Sequence, residues 1–369
     1  MKKLKELYFQ FLKFKEKSIV KDKKFWFGVE QIKPNSAQMR EFFLNYERES
    51  FFDFCKNLKK IIFSKNSLWE PIFSFSTDSW FPYYYFQFLK EKEIVEFKRN
   101  GKIVLKKRWL LNFLPKPLSE EEIKLKIEKK LNRKLNLDDP SNSIFFGQAK
   151  AEFDQLPIST SSAIFFVSKI LEYLPLFKKF LFVGDDDFVS IYLSLVQPKI
   201  ESVVADIDEQ LLGKIENLSK KFHLKIKTKK IDFFQNKNLT EKFVGFLTSP
   251  PYTFEGTKAF VNFGVRQFGK DGGFVFLNLA DEAIGHRHIF LLEFFAKKRM
   301  IVEEVIKNKA YYPWNIVHPE DKIIFERYKV FFDQEKIKKA PMIASSFWIF
   351  SFVPFEVKRP KKQPFYAYL

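Results

Sequence analysis

Four short runs of residues decide the fold: FLFVGDDD at 180–187, VVADID at 203–208, IDFF at 231–234 and FLTSPPY at 246–252. Each run is rich in β-branched or aromatic residues and ends in acidic or turn-forming residues. A spacer long enough for a helix separates each run from the next. This is the pattern of a βαβ series. The carboxyl ends of the strands in such a sheet meet at one crevice, so we expect the polar ends of the four runs to face one ligand.

The turn after the first run indicates the charge of that ligand. Gly184 is followed by Asp185, Asp186 and Asp187, whereas a phosphate-binding turn needs several glycines and free N–H groups. Three adjacent carboxylates in an apolar turn repel one another, so at least one has a raised pKa unless cations neutralise them. The N-terminus of the following helix offsets that repulsion by only about 0.3–1 kcal/mol.

A protonated polyamine together with a sulfonium would supply the missing positive charge. An ordinary methyl donor brings a carboxylate that this turn disfavours, so the charge argument points to a decarboxylated donor. The alternatives are a solvated acidic turn or a divalent-metal site.

The alternation continues on both sides of the four runs and predicts an α/β fold. We expect helices at 161–173, 188–196, 209–221, 257–268 and 285–298, and strands at 180–183, 203–207, 225–231, 243–247, 274–279, 300–308 and 342–353. Their number and order match the Rossmann-like, seven-stranded sheet of the S-adenosylmethionine-dependent transferases. We assign this domain to residues 144–369, including a C-terminal extension.

The first part of the chain, residues 1–115, predicts a helical domain with a β-hairpin. Helical patterns occupy 1–21, 36–58 and 77–90, and Asn100-Gly101 lies inside an alternating segment at 94–107. Asn-Gly favours a type I′ turn, in which both central residues have positive φ. Helices followed by such a hairpin are typical of a winged-helix module. A charged helical pattern at 119–135 then predicts an exposed helix within a linker at 116–143.

The composition bounds the class of protein. The formal charge is +19, which favours binding to nucleic acid, but abundant Lys and Glu with scarce Cys and Met are also common in proteins of heat-loving organisms. One cysteine, Cys55, allows no internal disulfide. No apolar run approaches the ~20 residues of a membrane helix, and the first residues lack the apolar core of a signal peptide. We expect a soluble cytoplasmic protein that does not bind membranes.

Acidic residues after the second and third strands are candidates for binding a nucleoside. Asp206 lies 22 residues after Gly184, the spacing at which a carboxylate commonly accepts from two ribose hydroxyls. Asp208, just before a helix, fits an N-cap better and is the second choice for the ribose. Asp232 follows the third strand, where such transferases bind the adenine amino group.

The fourth run ends in Ser249-Pro250-Pro251-Tyr252. The [Asn/Asp/Ser]-Pro-Pro-Tyr pattern of amino methyltransferases holds a target amine, because side-chain and main-chain oxygens accept its N–H bonds while the aromatic ring packs against it. The rigid Pro-Pro pair orients these acceptors in advance. Ser249 with Tyr252 resembles the cytosine-N4 DNA methyltransferase version of this pattern.

Together these motifs resemble one family. FDQLP at 153–157, LFVGDDD at 181–187, DID at 206–208 and PPYT at 250–253 with Gly256 look like the branched-chain polyamine synthases, the N4-bis(aminopropyl)spermidine synthases. The resemblance covers roughly residues 75–355. It implies transfer of aminopropyl groups from decarboxylated S-adenosylmethionine, as a co-substrate, to the secondary amine of spermidine, with release of methylthioadenosine. It also implies no metal, a thermophilic source and a homodimer.

The resemblance has one important departure, because Ser249 stands where the family usually has Asp. Serine is a poor base, so the amine proton would pass to one of the three aspartates or to Glu282. We expect Asp186 or Asp187 to be that catalytic group, with Asp185 nearer the donor. Glu282 would assist by holding a terminal ammonium.

The remaining site residues are expected to bind one substrate each. Gly184, Asp185, Asp206, Asp208 and Asp232 would bind the donor. The acceptor would be held by Asp154, Gln155, Ser249, Pro250, Tyr252 and Trp314. Trp314 and Asn315 would line its channel, since aromatic faces suit ammonium groups.

Two other functions stay open on the sequence. One is an amino methyltransferase acting on DNA, which the Ser-Pro-Pro-Tyr motif, the winged helix and the positive charge favour and the three aspartates oppose. The other is a non-catalytic winged-helix regulator that senses polyamines.

Overall fold

The structure, a computed structural model, describes residues 1–21, 37, 40, 43–44, 48–64, 80–137, 144–145, 153, 155–235, 238–313, 322–339 and 341–356. The chain divides into two compact units. The first consists of Met1–Lys116 with Pro354–Leu369, and the second is Pro117–Val353.

The first unit is helical with one hairpin. Its described elements are α1 (Lys2–Lys21), α2 (Phe51–Ile62), α3 (Trp80–Glu91), β1 (Val95–Phe97), β2 (Ile103–Leu105) and a 3-10 helix (Arg108–Asn112). The core is aromatic: the ring of Phe11 lies 4.3 Å from that of Tyr85 and 5.1 Å from that of Phe54, centroid to centroid. Helices and then a hairpin follow in the order that a winged-helix module requires, and the winged-helix assignment itself stays a prediction.

The helix predicted at 36–58 is not continuous. Residues 48–50 are not helical, and α2 begins only at Phe51. The reason is a capping box: the side chain of Ser50 accepts from the N–H of Asp53, and the Asp53 carboxylate accepts from the N–H of Ser50. Most of residues 36–47 lie outside the described residues.

The hairpin between β1 and β2 forms as predicted, but its turn is not type I′. Gly101 has a φ of +82°, while Asn100 is not among the residues with positive φ. The N–H of Gly101 donates to the carbonyl of Lys98 at 2.9 Å, and the N–H of Lys98 donates to the carbonyl of Lys102. This is the longer hairpin connection, in which an ordinary turn is followed by a left-handed glycine that forms a bulge.

The second unit alternates helices and strands. Its described elements are α4 (Glu120–Leu131), α5 (Thr160–Tyr173), β3 (Lys179–Val183), α6 (Val189–Val196), β4 (Glu201–Asp206), α7 (Glu209–Lys221), β5 (Ile226–Lys230), β6 (Gly245–Thr248), α8 (Phe254–Arg266), β7 (Gly273–Leu279), α9 (Asp281–Ile284), a 3-10 helix (Gly285–Arg287), α10 (His288–Lys297), β8 (Met300–Pro313), α11 (Lys322–Tyr328), α12 (Gln334–Lys339) and β9 (Pro341–Phe352).

The seven strands form one sheet in the order β5-β4-β3-β6-β7-β9-β8. The first five are mutually parallel, and β9 is antiparallel to both β7 and β8. Strand order reverses on either side of β3, which places the switch point between β3 and β6. The predicted seven-stranded, mostly parallel α/β sheet is confirmed.

Two predicted helices differ from what is observed. The charged helix α4 is not simply exposed, because Ile123 and Ile127 are fully buried and the helix packs on α5 and α6. The helix predicted at 285–298 is broken. Gly285 has a φ of +59°, which ends α9, and a 3-10 turn precedes α10.

Across the described residues, no helix combines the length and the apolar character that crossing a membrane requires.

Candidate active site

Four neighbouring strands bring their carboxyl ends to one edge of the sheet. They are β4, β3, β6 and β7, in that order. Their ends carry Asp206, the turn after β3, Ser249 and Asn278. Parallel pairing sets the register, since Val183 lies opposite both Ala205 and Thr248. The polar ends of the predicted strands therefore meet, as expected for a sheet of this topology.

The turn after β3 needs a glycine at its first position. Gly184 has a φ of +73°, and its N–H donates to the carbonyl of Ala205 at 2.9 Å. A Cβ at this position would lie 3.2 Å from the ring of Phe260 and 3.9 Å from Oδ2 of Asp206. A side chain at this position would therefore crowd the ring of Phe260, so the turn requires glycine.

We call the next three residues, Asp185, Asp186 and Asp187, the aspartate turn. Backbone N–H groups hold all three carboxylates: Ser190 donates to Asp185 at 3.3 Å, Leu156 to Asp186 at 3.0 Å, and Ile158 to Asp187 at 2.8 Å.

The three carboxylates differ in exposure. Asp185 is 2% exposed and Asp187 is 6% exposed, whereas Asp186 is partly exposed. Asp186 is therefore the member of the aspartate turn that a ligand can reach most directly.

All three carboxyl groups have raised pKa values. Burial is the main cause, and it raises the pKa values of Asp185 and Asp186 well above the ordinary range. For Asp186 the negative charges of Asp187, Asp206 and Asp185 add to the effect of burial. Burial raises the pKa of Asp187 to about 6. The rise is limited because hydrogen bonds from Ile158 and Ser249 stabilise the charged form. Asp187 is thus the member of the turn that is ionised most readily.

The aspartate turn has no cationic partner among the residues that the structure describes. None of the ion pairs there includes Asp185, Asp186, Asp187 or Asp206, although the chain carries a net charge of +19. In the same described ranges, no group of three or more His, Cys, Asp or Glu is arranged to hold a metal ion.

The acids after β4 and β5 are placed differently from one another. Asp206 is 7% exposed, and its Oδ1 accepts from the N–H of Asp208 at 2.8 Å. Burial raises the pKa of Asp206 to about 6. Asp208 caps α7 by accepting from Gln210 at 2.8 Å, which is the role favoured for it over ribose binding. Both oxygens of Asp232 are used locally, by Phe234 at 2.9 Å and Gln235 at 3.1 Å.

A buried hydrogen-bond network lies beside the Ser-Pro-Pro-Tyr motif. Asn278 donates through Nδ2 to the hydroxyl of Tyr312 at 2.8 Å and to Oγ of Ser249 at 3.4 Å. The hydroxyls of Tyr312 and Tyr252 are 2.7 Å apart, and Ser345 donates to Oδ1 of Asn278 at 2.5 Å. Burial raises the pKa values of both tyrosines far above the ordinary range, so both are neutral.

The sequence did not identify Asn278, Tyr312 and Ser345 as site residues. They lie on β7, β8 and β9, and each follows a strand pattern that predicts only burial. One signal was available: a polar Asn278 inside the apolar run at 273–279.

The other predicted site residues are scattered. Pro250 and Gln155 are buried, and Glu282 is exposed in the first turn of α9. The predictions for Asp154, Trp314 and Asn315 lie outside the described residues. No contact between Glu282 and the aspartate turn is recorded among the described residues, so its catalytic role stays a prediction.

Of the two histidines that follow α9, His288 contacts Asp281 and Trp348 rather than the aspartate turn. His288 Nδ1 lies 3.7 Å from Oδ1 of Asp281, and its ring is 5.1 Å from that of Trp348. Trp348 Nε1 also donates to Asp281 at 2.9 Å. His286 is exposed.

Taken together, the site is a cluster of carboxylates beside a buried network of hydroxyl and amide groups. It can stabilise a cation, and it can accept a proton at a carboxylate whose pKa burial has raised.

Comparisons with known proteins give one family. The model of the "Branched-chain polyamine synthase A C-terminal domain" matches residues 147–336, more than half of the chain. An uncharacterised protein of Methanocaldococcus jannaschii is 36% identical over 137 residues, which is 37% of this chain and 34% of that protein. The chain thus spans about a third of the length of the curated relative it matches.

Solved structures with similar folds include two of one enzyme. The branched-chain polyamine synthase of Thermus thermophilus, in complex with N4-aminopropylspermidine and 5'-methylthioadenosine, is 16% identical with a TM-score of 0.47, covering 85% of this chain and 90% of its own. Its C9 mutein with the same ligands is 15% identical with a TM-score of 0.46, covering 84% and 89%.

Proposed function

This chain belongs to the branched-chain polyamine synthase family, whose C-terminal domain it carries at residues 147–336. From that premise we propose that it transfers aminopropyl groups from decarboxylated S-adenosylmethionine to the secondary amine of spermidine. The products would be branched-chain polyamines and methylthioadenosine.

One observation carries the proposal: a buried aspartate turn with no lysine or arginine partner in the described residues of a chain of charge +19. Buried carboxylates are strongly unfavourable unless they are paired or protonated. The rest of the chain is positively charged and would repel a polyamine. An acidic site without a cation lowers the stability of the fold, which is hard to explain in a protein that binds no cation there. The polyamine and the sulfonium of the donor would provide the missing charge.

The donor would lie at the Gly184 end of the turn. Gly184 lies next to Oδ2 of Asp206 and the ring of Phe260, and the ribose hydroxyls of the donor would donate to Asp206. The Asp185 side of the turn would then face the positively charged end of the donor. The donor supplies an activated carbon next to a sulfonium, and the residues of this chain orient it.

The acceptor must lose a proton before it reacts. A protonated secondary amine gives its proton to a carboxylate of the aspartate turn, which becomes neutral. The free nitrogen lone pair then forms a bond to the aminopropyl carbon as the bond from that carbon to sulfur breaks. The sulfur leaves as an uncharged thioether, and the new tertiary amine keeps its remaining proton and the positive charge. Ser249 and Tyr252 would hold the acceptor nitrogen in line, which makes the reaction effectively intramolecular.

The test uses two parallel reactions. The protein is incubated with labelled decarboxylated donor and spermidine, and separately with labelled S-adenosylmethionine and DNA. Labelled branched polyamine together with methylthioadenosine in the first reaction supports the proposal. Product in the second reaction alone would overturn it.

The second candidate is an amino methyltransferase, which Ser249-Pro250-Pro251-Tyr252 specifically favours. The same motif that would hold a spermidine nitrogen would hold the exocyclic amine of a base. The aspartate turn argues against it, because a DNA strand would bring phosphates towards three carboxylates. A homodimer, implied by the family resemblance, stays a prediction that light scattering can test.

A further inference from the structure

Asn278 occupies a special position between the Ser-Pro-Pro-Tyr motif and the strands β8 and β9. Its side chain is fully buried, and all its polar atoms are engaged. Nδ2 donates to Tyr312 at 2.8 Å and to Ser249 at 3.4 Å, while Oδ1 accepts from Ser345 at 2.5 Å. An amide nitrogen only donates and an amide oxygen only accepts, so this side chain gives a direction to every hydroxyl around it.

The direction of the hydrogen bond between Asn278 and Ser249 follows from one carboxylate. Ser249 Oγ lies 2.9 Å from Oδ2 of Asp187. An ionised carboxylate only accepts, so Ser249 gives its single hydroxyl proton to Asp187. Ser249 can then only accept from Asn278, which requires that the Nδ2 side of the amide faces Ser249, as observed.

Two hydroxyl groups on the other strands follow the same rule. Tyr312 accepts from Asn278 and therefore donates to Tyr252, 2.7 Å away. Ser345 gives its own proton to Oδ1 of Asn278. The amide thus sets the direction of the hydroxyl groups on both of its sides.

We propose that Asn278 is a positioning residue that, through Ser249, keeps Asp187 as the fixed anion of the aspartate turn and leaves Asp186 to exchange the proton with the acceptor amine. This inference rests on the proposed function. A proton on Oδ2 of Asp187 would have to be donated to Ser249, and Ser249 would then have to turn its own proton towards Nδ2 of Asn278, which cannot accept it. The network therefore disfavours the protonated form of Asp187.

Asp186 is suited to exchange a proton with the acceptor amine. It is partly exposed, and its Oδ2 accepts a backbone N–H from Leu156. After burial, the charge of Asp187 is the largest factor that raises the pKa of Asp186. Keeping Asp187 ionised thus makes Asp186 a stronger base. The arrangement also explains how the chain functions with Ser249 where its family resemblance predicts Asp: the serine passes a hydrogen bond to a carboxylate that is already present.

Five titratable groups surround Asp187. Asp185 and Asp186 come from its own turn, Tyr192 from α6, Tyr252 from the loop after β6, and Tyr312 from β8. Burial raises the pKa values of the three tyrosines, so they stay neutral through the physiological range. Any change in the titration of Asp187 near neutrality therefore reports on the two aspartates and on its hydrogen-bond donors.

The test measures the free protein first. Carbon-13 NMR of labelled aspartate carboxyls is recorded against pH for the wild type, for Asn278→Leu, for Ser249→Ala and for the double variant, with Asp187→Asn used to assign the signal. We expect each single variant to move the Asp187 titration up by about one pH unit, because a hydrogen-bond donor to the charged form is lost or released. The double variant should move it no further than Ser249→Ala alone, since Asn278 acts through that serine.

The matched control is Ser194→Ala. It removes a buried hydroxyl that lies 3.1 Å from Ser202 between α6 and β4, away from the acceptor network, and should leave the Asp187 titration unchanged.

An unchanged Asp187 titration in folded Ser249→Ala would overturn the inference, and so would a double variant whose shift equals the sum of the two single shifts. If Asn278→Leu does not fold, Ser249→Ala alone decides. Absence of aminopropyl transfer by the wild type would instead reject the proposed function, because the titration of the free protein does not depend on turnover.

Discussion

The two units each bury carboxylates, and they treat them in opposite ways. In the first unit, Glu49 is 8% exposed and has its own cation: Nζ of Lys15, itself fully buried, lies 3.8 Å away. Tyr85 and Asn57 also donate to Glu49. In the second unit, Asp185 and Asp187 are buried to a similar degree. The aspartate turn has backbone and hydroxyl donors but no ion pair in the described residues.

The difference separates a structural acid from one kept for a ligand. A buried carboxylate that serves only stability is paired within the chain, because desolvation of an unpaired charge is strongly unfavourable. A chain with 64 lysines and arginines could pair the aspartate turn easily. Leaving it unpaired makes sense where a cationic ligand completes the site, and the following variants test that distinction.

The largest effect is expected at Glu49. Glu49→Gln removes the carboxylate next to buried Lys15, and we expect the free energy of unfolding to fall by about 3–5 kcal/mol. Chemical denaturation measures this loss. Glu121→Gln, at an exposed acid in the first turn of α4, is the control and should change stability little. A Glu49→Gln protein as stable as the wild type would remove the contrast between the two units.

Asp186→Asn should lower activity strongly and leave stability unchanged or higher. We expect turnover of spermidine to fall by about 100-fold or more, because a group that accepts a proton in the reaction is lost, while the free energy of unfolding stays the same or rises. Steady-state kinetics and denaturation on the same preparation measure both. A variant that is destabilised yet fully active would contradict the assignment of the turn to function.

The pH dependence of stability tests whether Asp206 is a buried acid without a cation. Because the pKa of Asp206 is raised from 3.8 to about 6 in the folded state, the unfolded chain releases this proton first as the pH rises. The wild type therefore loses stability between about pH 4 and pH 6 relative to Asp206→Asn, and the penalty is constant above that window. We expect the variant to be more stable by roughly 3 kcal/mol at pH 7, because one unit of pKa shift corresponds to about 1.36 kcal/mol.

Thermal unfolding of both proteins from pH 4 to pH 8 measures this difference. A gap that is already present at pH 4, or one that opens only above pH 7, would disagree with the raised pKa of Asp206.

The smallest effect is expected at the first position of the turn. Gly184→Ala places a Cβ on a backbone with φ of +73° and 3.2 Å from Phe260, so it should lower the free energy of unfolding by about 1 kcal/mol. It should also weaken binding of methylthioadenosine, which isothermal titration can measure. Gly213→Ala is the control, since a Cβ there meets nothing within 4 Å.

The sequence predicted the sheet well, because each strand combines an apolar run with a polar end. It failed where one local interaction outweighs the pattern. The capping box at Ser50 starts a new helix inside a predicted one, Gly285 breaks another, and a bulge at Gly101 replaces the type I′ turn.

The candidate site was predictable in part for the same physical reason. The aspartate turn, Asp206 and Ser249 follow strands that are neighbours in a parallel sheet, so their meeting follows from topology. Asn278, Tyr312 and Ser345 were missed because β8 and β9 return antiparallel from far along the chain, and their side-chain partners depend on strand register rather than on local pattern.

The most direct test of the central claim is the affinity of the aspartate turn for a polycation. Isothermal titration of spermidine into the protein saturated with methylthioadenosine, at pH 7.5, compares the wild type with the double variant Asp186→Asn, Asp187→Asn. We expect the variant to bind at least about tenfold more weakly, which corresponds to about 1.4 kcal/mol. Equal affinity in the two proteins would mean that the aspartate turn is not the site at which this chain binds cations.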